Sequence, residues 1–307
     1  MLLSLNLISK DNDKDKDKGK DKDILILTSS REFVNDMFKQ SIYGMDFLFS
    51  LGEDRTYNKN SSYIDFKIGP FYEKYMQLGY EWGASASIIL PSTKKRYRLF
   101  FRSLEDNEDN HFNDKSNSSE GNSFVLGLQF VKTSFKYLSS GVSIGARFNT
   151  YYPDPLLSFS LKYSIDFGKR WRIDVGDRVY YFLVYKFDNN LFGDLSYIIN
   201  YKTKIKFYNY YRYREFLNLH EVKNGFGIYY IIQNNMSIKY NIDVLREKDE
   251  LFSFNIRHYY AGFTFKHIFH SNWLYYEIKP EFYFRESNDF RFSPRILLYL
   301  GIIFRAE

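Results

Sequence analysis

Lys204, Lys206, Arg212 and Arg214 sit at even-numbered positions of one short segment, so an extended chain sets all four on the same face. A row of fixed cations attracts anions, and within a cavity it raises their local concentration. This segment is the best candidate in the sequence for an anion-facing ladder. The same two-residue period puts Arg147, Lys162, Arg172, Arg178, Lys239, Glu277, Lys279 and Glu281 on the polar faces of other segments. Cations outnumber acids in this set. If the polar faces line a common interior, that interior is wet and favours anions modestly. The competing arrangement is pairing of these charges across neighbouring strands, which fills the interior and lends stability without conduction.

Catalytic chemistry is hard to assemble from this chain. It contains no GxSxG, HExxH, phosphate-binding loop or dinucleotide fingerprint. With no cysteine, disulfides, thiolate metal sites and cysteine nucleophiles are excluded. His267 and His270 are three residues apart at a turn, a spacing that points the two rings to opposite sides of a strand and suits a metal badly. His220 beside Glu221 is the sole acid–base pair that would suit a hydrolase, and chance adjacency explains it equally well. No catalytic residue, metal or cofactor is assigned. The formal charge of +6 is spread along the chain instead of clustered, which argues against a nucleic-acid partner.

The elements that must carry the charged rows are strands. Aromatics make up 21% of 307 residues, yet mean hydropathy is only −0.45. That combination fits poorly into one globular interior and suits a wall with one face in lipid and one in water. In 156–167, Leu157, Phe159, Leu161, Tyr163, Ile165 and Phe167 oppose Ser158, Ser160, Lys162, Ser164 and Asp166. Residues 236–245 and 274–285 alternate in the same way. Apolar faces of this length cross a bilayer when tilted, and the chain has no run of apolar residues long enough for a membrane helix.

Fourteen such strands fit between 62–70 and 290–304, and counts of 12 or 16 fit nearly as well. The expected fold is an all-β, antiparallel, up-and-down transmembrane barrel over 62–304. Tight links follow even-numbered strands, and longer polar ones often follow odd-numbered strands, the extreme being 104–122. A barrel with both chain ends in the periplasm has this asymmetry. Residues 252–265 change register, since Phe252, Phe254 and Ile256 are even-numbered whereas Phe263 and Phe265 are odd. A bulge near Arg257 to Tyr259 repairs it. Trp171 and Trp273 begin strands after turns of the tight set, and Phe167 and Tyr201 flank such turns. Together they are expected to form an interfacial aromatic girdle.

Ahead of the strands, residues 1–9 read as a signal-peptide remnant and 10–30 as a Lys/Asp-rich linker too polar to bury a core. Residues 31–52 read as one amphipathic helix, begun by the capping box Ser29/Glu32 and carrying Val34, Phe38, Ile42, Met45 and Phe49 on one face.

The segment Trp273-Leu274-Tyr275-Tyr276-Glu277-Ile278-Lys279-Pro280-Glu281-Phe282, followed by Phe292-Ser293-Pro294-Arg295 and a last apolar strand, resembles the ending of an uncharacterised Gram-negative family with a W-L-F-x-E-x-x-P strand. Ile89-Leu90-Pro91-Ser92-Thr93, leading to Arg96, Arg98 and Leu99, is similar to that family's D-L-P-N-T-x-x-R-x-R-L. Ile89 stands where an acid is usual and Ser92 where Asn is usual. The resemblance implies an outer-membrane barrel and no activity. Arg295 to Phe304 also resembles the closing strand that the barrel-assembly machinery recognises, with Arg305, Ala306 and Glu307 as a departure after the aromatic. The partners expected are therefore membrane lipids and that machinery. A passive pore for small, weakly anion-favoured solutes is the leading expectation. A non-conducting structural or interaction barrel is second, and an outer-membrane hydrolase is last.

Overall fold

The computed structural model describes residues 62–75, 77–90, 97–103, 124–135, 137–148, 152–248, 253–269 and 273–305. The signal remnant, the linker and the helix expected over 31–52 lie outside the described residues, as do Arg96 and His270.

Fourteen strands follow one another: β1 (Tyr63–Glu73), β2 (Gln77–Ile89), β3 (Tyr97–Ser103), β4 (Phe124–Phe135), β5 (Leu138–Phe148), β6 (Pro153–Phe167), β7 (Trp171–Phe182), β8 (Lys186–Ile198), β9 (Thr203–Arg214), β10 (Leu219–Gln233), β11 (Met236–Lys248), β12 (Phe254–Phe269), β13 (Leu274–Arg285) and β14 (Phe292–Arg305). Each pairs antiparallel with the next, and β14 returns to β1, with Phe66 opposite Ile302 and Ile68 opposite Leu300. The sheet is closed and has no edge, so every strand finds a ladder partner on both sides. The strand count and the closure match the sequence-based expectation.

Alternation decides which side chains go in. On β14, Ser293, Arg295, Leu297, Tyr299 and Ile303 are buried, whereas Ile296, Leu298 and Leu300 are about half exposed on the outer wall. On β6, Asp154, Leu156 and Ser158 point inward, and Leu157, Phe159, Leu161 and Tyr163 point outward. The outer belt is thus apolar and aromatic around most of the circumference. Stacking on that wall, such as Phe124 on Phe148 and Phe282 on Phe292, adds cross-strand contact.

Local devices make the turns. Gly168 between β6 and β7 takes φ +59°, which only glycine adopts without a steric cost. Between β8 and β9 the Asn200 carboxamide oxygen accepts the Lys202 and Thr203 amides at 2.8 and 2.9 Å. The register break in β12 falls where the sequence places it. Leu245 pairs with His258 but Arg246 pairs with Ile256, leaving Arg257 as the bulged residue. Arg257 is held by Glu247 at 2.6 Å and Glu286 at 2.5 Å.

The contrast between the two sets of links is smaller than expected. Residues 104–123 form a long connection after β3, but 183–185 after β7 is as tight as 168–170 at the other end. Pairing runs on through Lys186↔Phe182, so β8 begins directly after this three-residue link. The Asp154 carboxylate accepts the Val184 and Tyr185 amides at 2.9 and 3.1 Å and holds that turn closed.

Candidate functional site: the barrel interior

Every lumen residue expected from sequence lies on the inward face. The row on β9 is complete: Lys204, Lys206, Tyr208, Tyr210, Arg212 and Arg214 face the interior in register with Tyr229, Gly227, Gly225, Lys223, Glu221 and Leu219 of β10. The row does not stand free as a ladder, however. Lys206 meets Asp194 at 2.8 Å, Arg212 meets Asp188 at 2.6 Å, and Arg214 meets Glu221 at 3.2 Å. Lys204 and Lys239 lie over the Tyr229 ring, 4.7 and 5.3 Å from its centroid. Between the cations, the Tyr208 and Tyr210 hydroxyls donate to Asp243 and Asp194, each at 3.0 Å.

Pairing recurs around the wall, both along strands and across them. Lys162 and Arg172 share Asp174 at 3.4 and 3.1 Å. Lys266 and Lys279 share Glu277 at 3.0 and 3.2 Å. Arg178 reaches the Tyr180 hydroxyl at 3.4 Å, and the Arg147 guanidinium stacks 4.3 Å above the Tyr185 ring. Alternation located these groups and already places Arg172 beside Asp174 and Lys279 beside Glu277 on one strand; the pairing of Lys162 with Asp174 and of Lys266 with Glu277 needed the strand register, which no single segment contains.

The two ends of the interior differ. At the end remote from the chain termini, β13, β14, β1 and β2 bring together a buried charge network. Arg295 bonds to Glu81 and, at 3.3 Å, to Glu281, and its Nε stands 3.7 Å from Glu73. Arg285 and Ser293 also bond to Glu73, the Tyr299 hydroxyl donates to Glu81, and the Tyr260 hydroxyl donates to Glu281 at 3.3 Å. Glu73, Arg285 and Ser293 are 5% exposed or less, so this part of the interior is filled by side chains. Across the barrel, Asp154, Asp188 and Glu221 are buried at the same end. Near the termini, by contrast, Lys162, Arg172 and Lys204 are exposed. Glu73, Glu81, Asp154 and Asp188, and the tyrosines that donate to the buried acids, were missing from the sequence-based set. Tyr208 and Tyr210 share the parity of Lys206 and Arg212, and that signal could have found them.

The remaining candidates resolve by parity. Glu221 faces inward to Arg214, while His220 faces outward and bonds to the Tyr211 hydroxyl at 2.7 Å. Adjacent residues of one strand look to opposite sides, so this pair cannot share a substrate. His267 sits on the outer wall at the rim, within 3.3 Å of both the Asn235 amide and the Tyr276 hydroxyl. Among the described residues no His/Cys/Asp/Glu group could hold a metal ion. Phe167, Trp171 and Tyr201 are exposed at the terminal end of the outer wall, as a girdle requires. Trp273 is not part of that girdle. It is 4% exposed and shares the inward parity of buried Tyr275, so its position next to a turn did not decide its face.

No family model and no curated protein matches this chain. Solved structures with a similar course include the outer-membrane channel DcaP of Acinetobacter baumannii, at 11% identity and TM-score 0.46, covering 83% of this chain and all of that one. The CymD monoaromatic hydrocarbon channel matches at 8% identity and TM-score 0.49, covering 81% of this chain and 89% of that one. A loop-deleted OmpT of Vibrio cholerae matches at 9% identity and TM-score 0.46, covering 80% and 98% respectively. Likenesses of this degree carry no function across to this chain.

Proposed function

We propose that this chain is an outer-membrane barrel that lets small polar solutes pass passively, with a weak preference for anions. One observation carries the reading: a closed sheet turns a belt of Leu, Ile, Phe and Tyr outward and a charged lining inward. A soluble protein of this size has no use for so broad an apolar exterior, whereas a bilayer requires it. The anion preference rests on the terminal end of the interior, where Lys162 and Arg172 share one acid and Lys204 is exposed. It is expected to be small, because most other cations are neutralised by a facing carboxylate. Purified protein in planar bilayers should give conductance steps, with a reversal potential in a KCl gradient displaced toward chloride. Silent bilayers containing verified, folded barrels would remove the pore.

A second reading has its own support. The buried network around Glu73, Glu81, Arg285 and Arg295 fills part of the interior at the far end. A closed barrel serving a structural or binding role would need such a plug. It predicts no conductance from the native chain, even when the protein is fully inserted.

A further inference from the structure

The outer wall breaks its apolar rule in one sector. Asp177 faces outward midway along β7, between Val175 and Val179 of its own outward row and beside Leu161 and Leu191 of the flanking strands. Asn189 of β8 donates to its carboxylate at 2.6 Å. One strand further on, Gly193 of β8 is opposite Asn209 of β9, and Asn209 is opposite Asn224 of β10. The Asn224 carboxamide donates to Asn209 at 2.7 Å and accepts from Arg246 of β11 at 2.5 Å. The side-chain carboxamide nitrogen of Asn209 has no acceptor among the described residues, its oxygen alone being engaged. At the level of Gly193 the wall is bare, since a Cβ there would meet nothing within 4 Å. The opposite sector, on β13, β14 and β1, offers only Ile278, Leu298, Leu300, Phe66 and Ile68 at comparable positions along the strands.

Lipid surrounds a barrel uniformly and does not explain a polar sector on one side of it. Carboxylate and carboxamide groups facing hydrocarbon are costly unless another polar surface covers them. On the reading above that this belt lies in a bilayer, we infer that β7–β11 form an interface with a second copy of the same chain. The sector is self-complementary. Its β7 edge carries an acceptor, Asp177, and its β9–β11 side carries donors, Asn209 and Arg246. A two-fold axis parallel to the barrel axis reverses strand order and keeps depth, so each copy's acceptor edge meets the other's donor side. The bare backbone at Gly193 allows the close approach that polar contacts within a membrane need.

The chain has no cysteine, so single cysteines report contacts without background. Phe207→Cys, on the outward face of β9 beside the polar groups, and, on the opposite wall, Ile68→Cys are refolded as full chains into phosphatidylcholine vesicles. Heat-modifiable gel migration scores folding, and a short bismaleimide scores proximity. Folded Phe207→Cys should crosslink to a dimer and folded Ile68→Cys should not. Adding Asp177→Leu to Phe207→Cys should abolish the dimer while the folded band persists. No dimer from folded Phe207→Cys, equal dimer from both cysteines, or a dimer indifferent to Asp177→Leu would each overturn the interface while leaving the membrane reading intact. A chain that never associates with vesicles would overturn both.

Discussion

Arg295 is the residue on which the far end of the interior depends, because three carboxylates of three different strands converge on it. Removing one partner from a buried charge cluster leaves the others without compensation in a poorly solvated site. Arg295→Leu should therefore lower stability by about 3–5 kcal/mol, read as a fall in the urea midpoint of the folded band. Adding Glu81→Gln to that variant should recover part of the loss, which simple cavity formation would not permit. At the other end, Lys204 is an exposed cation of the terminal side. Lys204→Glu should move the reversal potential toward cations without changing the unfolding midpoint. A midpoint that falls along with selectivity would show that Lys204 is structural. The inward direction of both residues was legible in the two-residue period. Their partners were not, because Glu73 and Glu81 lie more than 200 positions from Arg295 in the chain.

Among the elements, the β1–β14 seam is the most demanding. At Gly69 a Cβ would fall 1.7 Å from the Leu298 carbonyl oxygen, and Pro70 beside it has no amide to donate. Regular pairing between the two strands is interrupted there and resumes at Phe71↔Leu297. Gly69→Val should prevent closure, giving a chain that migrates as unfolded on unheated gels, whereas Gly193→Ala on the bare outer wall should fold normally. The bulge at Arg257 was readable from the sequence, since apolar residues change from even to odd numbers across it and only an extra residue keeps both groups outward. The β7–β8 hairpin was not. Its tightness comes from a carboxylate on β6, and Asp154 looks like any other strand-end acid until the sheet is assembled. Trp273 failed for a similar reason. Proximity to a turn says that a ring is near an interface, but only its parity with Tyr275 says which side of the wall it occupies.

For the whole molecule, closure is the property from which the rest follows. Paired cysteines at Phe66 and Ile302, direct partners across the seam, should crosslink within one folded chain and lose that link in urea. Failure in a demonstrably folded sample would mean that the sheet is open. Alternation over segments of a dozen residues is a local property, and it was enough to determine strands, an apolar outer face, a charged inner face and a count near fourteen. Everything that depends on which strands become neighbours was decided by the assembled barrel: cations and acids cancelling across the interior, the buried plug around Arg295, the separation of His220 from Glu221, and the polar sector gathered from β7 to β11. The physical reason is that a side chain's direction is set by the dihedral angles of its own strand, whereas its partner is set by the register between strands, a relation between distant segments that exists only once the sheet has closed.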